Sequence, residues 1–210
     1  MFISLVTFSV HCGYFDVFGY YWQVSASGND TKDCGMVPCK TLSASNITST
    51  VNANAVFQIG ILDKTSISYS MGISQNASAR QFFKTPVSST VPADIFVNTS
   101  GVFSVGGHVQ FSKINFVFPT GGSAGSYAIL GNYDKAIINI TQSGSVSIIN
   151  SQFENITRML VVSSNGGIIQ AEIGGSYGYL EINNTNFINC KDDLSKAPRG
   201  GALSLIVNYS

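Results

Sequence analysis

Cysteines, histidines, scattered acids and a set of asparagines in N-x-S/T frames are the residues of this chain that could do chemistry. Cys34 and Cys39 bracket Gly35-Met36-Val37-Pro38. A Gly and a Pro in so short a loop bring two Cβ atoms within bridging distance, which predicts a local disulfide. The C-x4-C spacing does not suit zinc without a second pair, and Cys12 and Cys190 lie too far away in sequence to form one. Eight sequons occur, at Asn29, Asn46, Asn76, Asn98, Asn139, Asn155, Asn183 and Asn208. That is about twice what composition alone would give, and a sequon marks a candidate surface glycan on a secreted chain. Two readings stand: real acceptors, or by-products of turns rich in Asn and Ser.

Acid–base chemistry has little to work with. Glycoside hydrolysis needs two carboxylates converging on one bond, and calcium-assisted elimination needs several carboxylates beside a base. The chain has eleven acids and three arginines, Arg80, Arg158 and Arg199. Its one adjacent acidic pair, Asp192-Asp193, reads as part of a solvated loop. One repeat earlier the same positions hold Arg158 and Met159, so no ladder of acids builds up. His108 follows Gly106-Gly107 with no acid or cysteine near it in sequence, and reads as a surface or satisfied histidine. His11 directly follows an apolar N-terminal run, in a candidate signal region. Dinucleotide and phosphate-loop patterns are absent. No catalytic residue, cofactor or metal site is therefore expected.

Composition narrows the class. Apolar residues make up 44% of the 210 residues and charged residues 10%, against about 25% charged in an average soluble domain. Ser, Thr, Asn and Gly take the place of charge, as in β-rich chains with uncharged turns. The formal net charge is zero, which leaves no basic footprint for nucleic acid. No run reaches the roughly 18 apolar residues of a membrane-spanning helix. The run Phe2 to Val10 resembles the apolar core of a signal peptide without its basic flank, or else a buried first strand. Residues 1–19 are accordingly set apart from a domain over 20–210. Tyr14, Phe15, Phe18, Tyr20, Tyr21 and Trp22 crowd this end, as a hydrophobic cap or as sugar-stacking aromatics.

The elements that must position these residues follow from an internal repeat. Ser145–Ser176 aligns without gaps on Tyr179–Ser210, a shift of 34, with eight of 32 pairs identical. Phe153, Asn155, Gly166 and Gly167 fall on Phe187, Asn189, Gly200 and Gly201. A fainter copy at Val109, Phe111 and Phe116 is shifted by 37, with Phe118 in place of the asparagine. Each copy alternates apolar and polar residues with period two, the pattern of a strand with one buried face. A unit that cannot bury its own apolar face must stack on its neighbours. Three strands and three turns fit 34 residues. Asn150 over Asn184, and Asn155 over Asn189, suit left-handed corners with stacked side chains. The expected fold is all-β, a right-handed parallel β-helix with three strands per rung of about 34 residues. Its N-terminal capping region spans about 20–50, its C-terminal end reads as truncated, and residues 119–136 read as a loop insertion.

The stretch Tyr179 to Cys190, followed by Gly200-Gly201-Ala202-Leu203, resembles the F-x-x-N and G-G-A-[ILV] repeats of polymorphic outer-membrane-type surface proteins. Here the Phe-to-Asn spacing is one residue shorter. More broadly the chain resembles the pectin-lyase-like β-helix superfamily, whose secreted members open like Tyr21–Asp30 and the Cys34–Cys39 loop. Because no ladder of reactive side chains builds up along the rungs, the leading expectation is a non-enzymatic extracellular or cell-surface module serving as scaffold, adhesin or carbohydrate-contacting surface. Glycans or other surface proteins would be its partners, with neither nucleic acid nor membrane insertion. The alternative is a fragment of a polysaccharide lyase or hydrolase of the same fold.

Overall fold

Strands dominate because Val, Ile, Phe and Thr alternate with polar residues along most segments. A computed structural model describes residues 20–52, 56–74, 80–98, 100–118, 136–141, 143–158, 167–174, 178–192 and 202–208. The apolar run 2–10, His11, Cys12, Asn76 and residues 119–135 of the loop expected over 119–136 lie outside the described residues, as do Gly166, Asp193, Arg199, Gly200 and Gly201.

The chain enters through β1 (Tyr20–Val24), passes the Cys34–Cys39 loop and forms α1 (Ser45–Asn52). It then winds as a coil of three-strand rungs. The first rung is β2 (Phe57–Ile61), β3 (Lys64–Ile67) and β4 (Ser70–Ile73); the second is β5 (Arg80–Lys84), β6 (Ala93–Val97) and β7 (Val102–Val105). The third is β8 (His108–Ser112), β9 (Ile114–Val117) and β10 (Ile138–Ile140). The fourth is β11 (Ser145–Ile149), β12 (Gln152–Glu154), the short β13 (Thr157–Arg158) and β14 (Ile169–Gly174). The last is β15 (Tyr179–Asn183), β16 (Asn186–Ile188), β17 (Lys191–Asp192) and β18 (Leu203–Asn208).

Equivalent strands pair in parallel and build three walls. Sheet A stacks β1-β2-β5-β8-β11-β15, sheet B stacks β3-β6-β9-β12-β16, and sheet C stacks β4-β7-β10-β14-β18. The right-handed parallel β-helix is thus the fold. The register places Val146 on Leu180, Phe153 on Phe187 and Ile169 on Leu203, so the 34-residue unit is the coil itself. The preceding turn pairs Val109 with Val146 and Phe116 with Phe153, the 37-residue shift.

Two features depart from the sequence expectation. Earlier turns are shorter: Phe57 stacks on Arg80 and Arg80 on Val109, turns of 23 and 29 residues that a fixed-period comparison misses. An eight-residue helix also appears where no helical period is legible. Its sequence, Ser-Asn-Ile-Thr-Ser-Thr-Val-Asn, has poor intrinsic propensity. Ile47 and Val51, one turn apart, are both buried, so tertiary packing over the start of the coil holds it.

The core is a set of axial columns. Sheet B contributes Phe116, Phe153 and Phe187 stacked face to face at 4.7 and 4.9 Å. Phe82 and Phe111 stack at 5.1 Å, with Phe103 edge-on to both. Offset and edge-to-face pairs of this kind add about 0.5–1.5 kcal/mol beyond area burial. Arg80 occupies an inward position between Phe57 and Val109 and is 1% exposed. Its Nη1 donates to Ser74 O at 3.1 Å and its guanidinium lies over the Phe57 ring. Burial pulls its pKa down.

Corners are set by residues that accept positive φ. Lys113, Asn150 and Asn184 take φ of 56, 50 and 46° at one corner, and Asn155 and Asn189 take 55 and 51° at the next. Asn184 Nδ2 donates to Asn150 Oδ1 at 2.7 Å, and Asn189 Nδ2 to Asn155 Oδ1 at 3.1 Å. The paired asparagines of the repeat are therefore two axial ladders. Gly167 is needed for close approach: a Cβ there would lie 2.6 Å from the Ser204 nitrogen of the next rung.

Candidate functional site

Outward positions of sheet A carry a continuous polar column. Alternation along each strand sends every second residue out, and the register lines up Tyr21, Gln58, Gln81, Gln110, Ser147 and Glu181. Gln58, Gln81 and Gln110 are half-buried, yet their amides make no hydrogen bond to any described residue. Asparagines at the corners bond along the axis, whereas these three stacked amides do not bond to one another. Each offers two donors and an acceptor to whatever lies against the sheet.

The upper end of this stripe is a hydrogen-bonded network spanning three rungs. Ser147 Oγ donates to Glu181 Oε2 at 2.9 Å. Tyr179 reaches back past Ser145 to place its hydroxyl 3.1 Å from His108 Nδ1 and 3.5 Å from Ser147 Oγ. Ser147 has one hydroxyl hydrogen, and the shorter bond to Glu181 takes it. The Tyr179 hydroxyl then donates to a neutral His108. Burial lowers the His108 pKa and so favours that neutral ring. Ser145 and Ser147 are only 5% and 6% exposed beneath the tyrosine. His108 is thus satisfied, as its isolation in sequence suggested, by a partner 71 residues away.

Aromatics mark the lower end. Tyr21 is 42% exposed, accepts from Gln23 Nε2 at 3.2 Å and leans on Phe83. Gly60, in the neighbouring column, leaves room for it: a Cβ there would stand 3.0 Å from the Tyr21 hydroxyl and 2.4 Å from Thr85 Oγ1. Tyr20 stacks on Trp22, whose Nε1 donates to Thr50 of α1. Of the N-terminal aromatics, Tyr14, Phe15 and Phe18 lie outside the described residues.

Sheet B brings together two acids that sequence reading left apart. Asn115 Nδ2 donates to Asp94 Oδ1 at 2.9 Å and to Glu154 Oε2 at 3.3 Å. Gln152 and Asn155 also donate to Glu154, at 3.0 and 3.1 Å. The Asn115 amide fills the gap between the carboxylates and clasps three rungs, while its buried Oδ1 finds no partner among the described residues. Asp192 lies in strand β17 and not in the expected loop, paired with Arg158 of β13 as the repeat alignment implied.

Cys34 and Cys39 form a disulfide, with Cα atoms 4.7 Å apart and both residues buried. Cys190 is a half-buried free thiol bonded to Phe153 O and Ile188 O, and burial pushes its pKa up. Of the sequon asparagines, Asn29 and Asn183 are exposed, whereas Asn46, Asn98, Asn139 and Asn155 are half-buried. Periodicity could not reveal the amide stripe, because the turns that align Gln58, Gln81 and Gln110 differ in length. No known family, characterised protein or solved structure matches this chain.

Proposed function

We propose that this chain is a non-enzymatic extracellular β-helix module whose sheet A face contacts a neutral, extended glycan. The observation that carries the reading is the stack of Gln58, Gln81 and Gln110, whose amides bond to no described residue and lie between Tyr21 and Tyr179. Rungs repeat at about 4.8 Å, close to the advance of one sugar in an extended chain. Side-chain amides pair with vicinal hydroxyls, and flanking tyrosines offer faces for pyranose rings. A net charge of zero and a stripe without cations favour a neutral over an acidic ligand. The Cys34–Cys39 disulfide suits an oxidising compartment. The resemblance to pectin-lyase-like and outer-membrane-type surface repeats points the same way.

Affinity electrophoresis through gels holding soluble xylan or β-glucan tests this. The protein is expected to be retarded by at least one neutral glycan, and Gln81→Ala with Gln110→Ala to weaken retention about tenfold, the order of 1–1.5 kcal/mol that two hydrogen bonds supply. Equal mobility of parent and variant in every glycan gel would sink the reading. The Asp94–Glu154 pair is the one observation favouring the polysaccharide-cleaving alternative. Release of reducing ends or unsaturated sugars that vanishes in Asp94→Asn or Glu154→Gln would establish that alternative instead.

A further inference from the structure

Four of the sequons, at Asn29, Asn46, Asn155 and Asn183, divide by what their side-chain amides already do. Asn46 Nδ2 donates to Lys32 O at 2.9 Å and ties α1 to the disulfide loop. Asn155 sits at a left-handed corner, donates through Nδ2 to Glu154 Oε1 and accepts from Asn189 through Oδ1. Both are half-buried, and a sugar on Nδ2 would need the space these partners occupy. Asn29 is the reverse case. It is exposed, and its Oδ1 accepts from the backbone N–H and hydroxyl of Thr31, the third residue of its own sequon. Those two bonds orient the side chain while Nδ2 bonds to no described residue. Asn183 is also exposed, faces outward from β15 and has no side-chain bond to any described residue.

We infer that Asn29 and Asn183 are glycan-bearing positions of this protein, and that Asn46 and Asn155 are structural residues that merely spell a sequon. The chemistry joins Nδ2 to the anomeric carbon of a lipid-linked oligosaccharide; Nδ2 gives up one proton and the lipid pyrophosphate departs. The hydrogen left on Nδ2 still has water to bond at the two exposed sites. At Asn46 and Asn155 the attached sugar displaces a protein partner and loosens the cap or the corner. This inference rests on the extracellular reading above, and two arms keep the failures apart.

In the first arm the chain is directed through a eukaryotic secretory route and the folded product is mapped by peptide mass spectrometry. Glycan on Asn29 and Asn183, with Asn46 and Asn155 bare, is the expected result. Glycan on Asn46 or Asn155, or a secreted product bare at Asn29 and Asn183, overturns the assignment. The second arm needs no secretion. In unglycosylated protein, Asn46→Asp and Asn155→Asp are expected to lower the thermal midpoint, while Asn29→Asp and Asn183→Asp leave it unchanged, since Asp keeps the oxygen that Thr31 bonds. The opposite order overturns the division. Failure to enter the secretory route with the expected order in the second arm would count against the extracellular reading alone.

Discussion

At the scale of single residues, His108 shows how a parallel coil satisfies a side chain that looks isolated in sequence. Its ring is half-buried and held by the Tyr179 hydroxyl, and burial lowers its pKa from 6.5. A lowered folded pKa means that the unfolded chain binds the proton more readily. Stability from this site is full above pH 6.5 and is lost as pH falls from there towards the folded pKa. The thermal midpoint should therefore drop below pH 6.5 in the parent protein and drop less in His108→Gln. The two profiles, recorded by circular dichroism, should converge above pH 7 to within the effect of the substitution itself. A parent profile no steeper than that of the variant would contradict the account.

Among elements, the corners are the places where local chemistry and axial pairing coincide. Asn150 must hold φ of 50° and also accept the amide of Asn184. Replacing it by alanine adds the left-handed penalty of about 1–2 kcal/mol to the loss of one hydrogen bond, about 1 kcal/mol. Glycine loses the bond and about 0.5–1 kcal/mol of backbone entropy but escapes the left-handed penalty. Urea unfolding should thus rank parent above Asn150→Gly above Asn150→Ala. One turn earlier Lys113 fills the same corner without an amide, and its Nζ bonds Val87 O and Ser89 O at 2.6 and 2.8 Å. Those bonds recruit the loop over 85–92 to the corner, so the same φ is stabilised by a different partner.

Taken whole, the molecule is stabilised rung by rung, because each rung touches only its neighbours. Phe153 is sandwiched between Phe116 and Phe187 and fully buried, whereas Phe187 is covered from one side and only partly buried. Phe153→Ala should cost about 3–5 kcal/mol, and Phe187→Ala clearly less. Inward residues of the last rung, Ile182, Leu203, Leu205 and Val207, are 36%, 39%, 50% and 45% exposed. Amide hydrogen exchange should accordingly be fastest in β15, β16 and β18 and slowest in β8 and β9. Uniform protection from β2 to β18 would contradict a stability graded along the axis.

The two 34-residue copies were legible because identical spacing makes an apolar column, and a column is what a coil must bury. Alternation in Val146-Ser147-Ile148 and Leu180-Glu181-Ile182 forced strands, and the asparagines at 150, 155, 184 and 189 marked where strands must stop. Residues 56–105 had the same alternation but turns of 23 and 29 residues, so their membership became visible only as pairing of β2 with β5 and β5 with β8. The helix at 45–52 was invisible for another reason: packing of Ile47 and Val51, and not propensity, makes it. Sequence alone therefore determined the class of fold, the corner residues and the separation of Cys34 from Cys39. Tertiary structure decided the rest, since axial stacking joins residues whose separation depends on every loop between them. Only that stacking sets Gln58, Gln81 and Gln110 in one line, carries Tyr179 to His108, places Asn115 between Asp94 and Glu154, and leaves Asn29 and Asn183 open while Asn46 and Asn155 are engaged.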